Sequence, residues 1–197
     1  MLKTKDNSHQ KDIRGNKCQK FTKTMLLAIA TILPSSILVY GNQYAMAQVI
    51  DDGTNGDNTI DGAPNAEDIL EGRSGDDVLT GFSGDDLLNG GPDDDELAGD
   101  AGADTVQGDA GEDTVAGGDD DDFVKGGSGD DVLTGDADND LLKGGSGDDD
   151  IDGGTEDDLI YGGGGDDAID GGDGEDIACG GPGADTFSAA TETIVTC

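Results

Sequence analysis

Asp occupies the sixth position of a nine-residue unit that recurs thirteen times without insertion between Gly72 and Ser188: Asp77, Asp86, Asp95, Asp104, Asp113, Asp122, Asp131, Asp140, Asp149, Asp158, Asp167, Asp176 and Asp185. Each unit opens with Gly and carries an apolar residue at its eighth position in nearly every copy, as in GRSGDDVLT from Gly72, GGSGDDVLT from Gly126, GGGGDDAID from Gly162 and GGPGADTFS from Gly180. Carboxylates held in constant phase with glycine form a row of anionic oxygens, the ligand type preferred by hard cations. A solvated acidic face is the ordinary reading of a charge run. Solubility alone, however, does not require acids to keep step with glycine.

The elements that position this row follow from the same period. Each nonamer divides into six turn residues and three strand residues. Glycine at positions one and four is expected to supply φ > 0. The xUx triplet points its middle side chain inward. The inward row is Leu79, Leu88, Leu97, Val106, Val115, Val124, Leu133, Leu142, Ile151, Ile160 and Ile169. Pro64, Pro92 and Pro182 all fall at position three, inside the expected turns, where no strand ladder is broken. Two further units start at Gly53 and Gly62, but Asn58 and Glu67 stand at their sixth positions and Glu71 is one residue too many before Gly72. They read as a degenerate N-terminal cap.

This GGxGxDxUx unit resembles the nonapeptide of the hemolysin-type calcium-binding family, the repeats-in-toxin (RTX) module. The resemblance implies an all-β fold, a right-handed parallel β-roll (solenoid) with two repeats per coil. It also implies multiple calcium ions, each between turns of units two apart and held by sixth-position carboxylates and backbone carbonyls. Asp77 would then share an ion with Asp95, Asp86 with Asp104, and so on to Asp167 with Asp185, giving eleven candidate sites. Magnesium prefers a smaller, stiffer octahedron, and zinc prefers imidazole or thiolate ligands. Position four departs from the family pattern at Asp93, Asp120, Asp138 and Glu156. Sites on those turns are either weakened or gain a carboxylate.

Seven of the ten basic residues precede residue 24, and an apolar run over residues 25–40, interrupted by Pro34, is followed by Ala45-Met46-Ala47. The pattern reads as a signal peptide over residues 1–47, cleaved after Ala47, that sends the chain to the cell surface or the extracellular space. A retained membrane anchor is the alternative, although the run is shorter than the roughly 20 residues a spanning helix needs. The remainder divides into a leader with two degenerate repeats (48–71), a calcium-binding roll (72–188) and a capping strand (189–197). It keeps all the acidic residues except Asp6 and Asp12, and of the bases only Arg73, Lys125 and Lys143. Nucleic acid and membrane insertion after signal removal are excluded as partners on that balance. One inward apolar residue in nine is also too thin a core to order such a chain unaided, so folding is expected to be coupled to the metal.

Two further features stand outside the repeat. Alternate units carry Leu87, Thr105, Phe123, Leu141, Leu159 and Ile177 at position seven, an apolar rail flanked at position nine by Lys125, Lys143 and Tyr161. It is a candidate docking face for a cell-surface protein or for a homo-oligomer. A tolerated row of β-formers is the plainer account. Cys179 and Cys197 are eighteen residues apart, one coil, which would place them on neighbouring strands and favour a disulfide after export.

No constellation for catalysis is assembled: the single histidine, His9, falls in the signal segment, and no nucleophile, Walker or zinc-protease motif is present. The sequence therefore describes a secreted structural element that folds on calcium. The alternative is a calcium-dependent adhesion or interaction module. A toxin-related or enzyme-associated fragment is a weaker third reading, because only residues 48–71 separate the cleavage site from the repeats.

Overall fold

The computed structural model describes residues 49–188 and the short strand at 193–194. The signal segment with its cleavage site, His9, Cys18, Cys197 and most of the capping segment lie outside the described residues.

Every regular element described is a strand. In chain order these are β1 (Ile50–Asp52), β2 (Thr59–Asp61), β3 (Ile69–Glu71), β4 (Val78–Ser83), β5 (Leu87–Pro92), β6 (Glu96–Ala101), β7 (Thr105–Ala110), β8 (Thr114–Asp119) and β9 (Phe123–Ser128). They continue with β10 (Val132–Asp136), β11 (Leu141–Ser146), β12 (Asp150–Gly154), β13 (Leu159–Gly164), β14 (Ala168–Asp170), β15 (Ile177–Cys179), β16 (Thr186–Phe187) and β17 (Thr193–Ile194). Odd-numbered strands form a nine-stranded sheet and even-numbered strands an eight-stranded one, and every pairing is parallel. Residues 18 apart stand side by side, as in Leu133↔Ile151 and Leu142↔Ile160. Two nonamers therefore make one coil of a parallel β-solenoid, as the period requires.

The strands are longer than the expected three residues. Over most of the roll they run six residues, from position seven of one unit through position three of the next. Coils stacked in register bring the turn backbones close enough to continue the ladder, as where the Arg73 N–H donates to the Gly90 carbonyl. Pro92 is accordingly the last residue of β5.

Burial follows the pleat. In β4 the inward side holds Leu79 and Gly81, and Asp77 precedes them on the same side, while Val78 and Phe82 face out. The position-eight side chains, all 3 % exposed or less from Leu70 through Ala178, form one continuous core between the sheets, with Ile60 added at one end and Phe187 packed on the other.

The N-terminal units join this fold more fully than their sequence suggests. The one extra residue is absorbed in the turn between Gly62 and Asp68, because Ile69↔Leu87 and Leu70↔Leu88 are in normal register while Thr59↔Val78 is offset by 19. The sixth-position role therefore belongs to Asp68 and not to Glu67. At the outermost coil Asn58 supplies a neutral amide in place of a carboxylate, donating from its N–H (2.7 Å) and its Nδ2 (2.9 Å) to Asp77 Oδ1. Arg73 forms a fork on the Asp52 carboxylate across the same end.

At the other end β17 pairs with β15 at an offset of 16 residues, Ile177↔Thr193 and Ala178↔Ile194. That offset is two residues short of the 18 that separate β13 from β15.

Candidate metal centre

Each sixth-position Asp ends a turn and begins an inward-facing alternation, so its carboxylate points the same way as the apolar side chain two residues later. From Asp77 through Asp176 these carboxylates are buried, none more than 4 % exposed, and Asp185 is half-buried at the last coil. They stack as a ladder. From Asp86 onward, Oδ1 of each accepts the amide N–H of the Asp one coil earlier: Asp77 to Asp95 at 2.8 Å, Asp104 to Asp122 at 2.7 Å, Asp140 to Asp158 at 2.8 Å, and Asp167 to Asp185 at 3.2 Å. Units two apart are thus joined as the resemblance pairs them, through a hydrogen bond that fixes each carboxylate's orientation.

The second oxygen is different. Oδ2 of all twelve, Asp77 through Asp176, is sealed from solvent and has no hydrogen-bond donor. It lies against the Cα of the first glycine of its own unit: a Cβ built on Gly144 would stand 2.1 Å from Asp149 Oδ2 and 2.6 Å from the Gly162 carbonyl oxygen. First-position glycine is therefore demanded by a carboxylate and a carbonyl crowding one point. It is not demanded by φ, since none of these glycines has a positive value.

An anionic oxygen buried without a partner strongly disfavours the charged form. Burial pushes Asp140 up to about 8, Asp95, Asp104, Asp122, Asp149 and Asp158 to about 7, and Asp86 and Asp113 to about 6, with Asp131 and Asp167 also raised. The amide donated by the Asp one coil earlier opposes this shift, and neighbouring carboxylates add to it.

Positive φ falls at positions two and four. Position four has it as expected from Gly75 through Gly165, and the four acidic departures adopt it as well: Asp93 at 84°, Asp120 at 80°, Asp138 at 75° and Glu156 at 73°, all with exposed side chains. Position two has it too, and there Arg73, Phe82, Asp100, Asp109 and Asp136 hold left-handed backbone without being glycine. The alternation brings turn carbonyls hard against the next coil. A Cβ on Gly129 would lie 1.8 Å from the Gly111 carbonyl oxygen, and one on Gly91 2.0 Å from that of Arg73.

Among the described residues no three acidic, imidazole or thiolate side chains converge on one point. A hard cation here would take the orphaned Asp Oδ2 atoms as its charged ligands and draw further oxygens from these carbonyls, which suits calcium's preference for many oxygen ligands of mixed type. Bound there, it would supply the positive charge that the buried row lacks.

Two acidic sets escaped the sequence reading. Asp68 is buried, but its Oδ2 accepts from Ala63 N–H (2.6 Å) and its Oδ1 from Val49 N–H, so it is a cap satisfied by protein amides. Reading backward from Gly72 shows it, since Asp68-Ile69-Leu70-Glu71 is the Asp-x-U-x half of a unit. The fifth-position acids form a second, exposed ladder running the other way, with Asp130 Oδ1 accepting from Asp148 N–H and Asp148 Oδ1 from Asp166 N–H, both at 2.8 Å. Their recurrence was the available signal.

A parallel solenoid whose turns carry buried carboxylates, each with one unpartnered oxygen, beside closely approached carbonyls is built to take up cations. The chain belongs to the RTX calcium-binding nonapeptide repeat family, four copies of which match residues 65–97, 90–124, 125–159 and 152–187. It is a calcium-binding repeat protein, and the family binds several ions per array. No curated protein and no solved structure matches the chain.

Proposed function

We propose that this protein is an exported structural element of the cell surface or extracellular space, ordered by calcium through Asp77 and its twelve stacked equivalents. The observation that carries the reading is the column of twelve buried Oδ2 atoms with no donor. A neutral or cation-free roll has no use for so many carboxylates inside it. Circular dichroism of the chain titrated first with calcium and then, separately, with magnesium tests it. A cooperative gain of β signal with calcium at far lower concentration than with magnesium is expected; a spectrum indifferent to calcium and chelator would reject it.

Adhesion or protein interaction is the second reading, supported by the position-seven rail. Phe123, Leu141, Leu159 and Ile177 stand on adjacent strands of the nine-stranded sheet with their side chains outward.

Export and the cysteine bond are proposed together. Mass spectrometry of protein recovered outside the cell is expected to give a chain beginning at Gln48 and two hydrogens lighter than its reduced form, from a Cys179–Cys197 bond. An intact N-terminus would instead support the anchor, and two alkylatable thiols would dispose of the bond.

A further inference from the structure

The two outer faces of the roll are unlike each other in charge. On the nine-stranded sheet Lys143 lies between two aromatic rings, its Nζ 5.2 Å from the Phe123 centroid and 5.8 Å from that of Tyr161, with Lys125 beside it one strand away. Both lysines of the roll are therefore on one face, Lys143 over the aromatic rings and Lys125 3.7 Å from Asp109 Oδ1. On the eight-stranded sheet small residues leave a notch of about 460 Å³, floored by Ala98, Ala116 and Gly118 and bordered by Asp100, Asp119 and Asp136. Asp100, Gly118 and Asp136 stand on three successive strands, so two carboxylates flank a bare glycine. No cation faces them among the described residues.

We infer that the lysine ridge of one roll seats in the acidic notch of a second copy of this chain, stacking rolls face to face once calcium has ordered them. Ridge and notch are complementary in sign. The two lysines stand on adjacent strands and Asp100 and Asp136 two strands apart, so both charge pairs fall within three successive coils. The alternative pairing, ridge on ridge, would bring lysine against lysine. Ridge and notch lie on opposite faces, so the contact is heterologous and does not close: each added roll leaves one ridge and one notch free. Calcium enters twice, since it orders the faces and offsets the charge that would otherwise hold two such acidic chains apart. The inference rests on the calcium reading for that ordering, and circular dichroism reports the ordering step separately from association.

The test is sedimentation velocity of the full chain in calcium, alongside Lys125→Glu/Lys143→Glu and Asp100→Asn/Asp136→Asn. Asn is chosen because Asp100 and Asp136 hold left-handed backbone, which Asn tolerates. All three proteins share residues 1–48, so association through that segment would be common to them. The wild type is expected to form a concentration-dependent ladder of species, and each variant alone to weaken it about tenfold or more. Mixed, the two variants are expected to form dimers and nothing larger, because only the first retains a working notch and only the second a working ridge. A wild type that is calcium-ordered yet monomeric, or variants that associate as the wild type does, would overturn the inference.

Discussion

Acidifying the calcium-free chain from pH 8 to pH 5 is expected to raise its β-sheet signal toward that seen with calcium. Ten sixth-position carboxylates have folded-state values displaced upward by burial, to between about 6 and about 8 where the displacement is largest. In the unfolded chain the same groups titrate near 3.8. The roll therefore binds protons that the coil does not, and folding is linked to their uptake. The resulting stability is fully present below about pH 4 and is lost as pH rises through the folded values of about 6 to about 8. Protons and calcium are then alternative ways of quieting the same buried oxygens, and they compete: lowering pH should raise the calcium concentration needed for binding while lowering the need for it. The gain remains partial, because protonating the inner column leaves the exposed fifth-position acids still stacked one coil apart. Metal-stripped buffers are preferable to chelators, which weaken in acid, and the scan should stop at pH 5 because the full chain's isoelectric point is about 4.1. Circular dichroism that stays that of a coil from pH 8 to pH 5 would show that the buried carboxylates do not govern the fold.

The period of nine made the coil, the two sheets and the inward row legible, since each follows from phase alone. Leu79 through Ile169 are all buried where that phase puts them. What escaped was set by contacts between coils, which a linear reading does not contain. First-position glycine looked like a conformational need and is a steric one, visible only when Asp149 Oδ2 is seen pressed against Gly144. The strands looked three residues long because Gly and Pro resemble turn residues, whereas stacked parallel turns share ladder bonds as far as Pro92 and Ser146. Glu67 looked like the sixth residue because counting forward from Gly62 cannot know that a turn absorbs an insertion more easily than a strand whose register sets which face is buried. The Asp column was legible as a row. That one oxygen of each member would be bonded and the other orphaned was not, because both states look the same as a letter in a sequence.

Asp140→Asn separates the two oxygens and should change sign with conditions. In the calcium-free chain the substitution keeps Oδ1 as acceptor for the Asp122 N–H, which lies at 2.8 Å, and removes the carboxylate pushed highest, to about 8. The amide nitrogen that replaces Oδ2 would face the Gly153 carbonyl, since both lie 2.3 Å from the point a Gly135 Cβ would occupy. An orphaned charge thus becomes a donor with an acceptor nearby, and the acid-folding midpoint should move to higher pH. With calcium the balance reverses, because the site loses a negative ligand and acquires a donor where oxygen is wanted. The calcium-loaded roll should then be destabilised by on the order of 1–3 kcal/mol, the scale of one lost charge-assisted contact, and its calcium midpoint should rise. Asp68→Asn serves as the comparison: both Asp68 oxygens accept backbone amides, from Val49 and Ala63, so an amide nitrogen there meets a donor and should destabilise the roll with or without calcium. Parallel acid and calcium titrations of the two variants read the difference. If Asp140→Asn were to behave as Asp68→Asn does, destabilising in both conditions, the column of orphaned oxygens would be a packing feature and the place of the cation would have to be sought at the turn carbonyls alone.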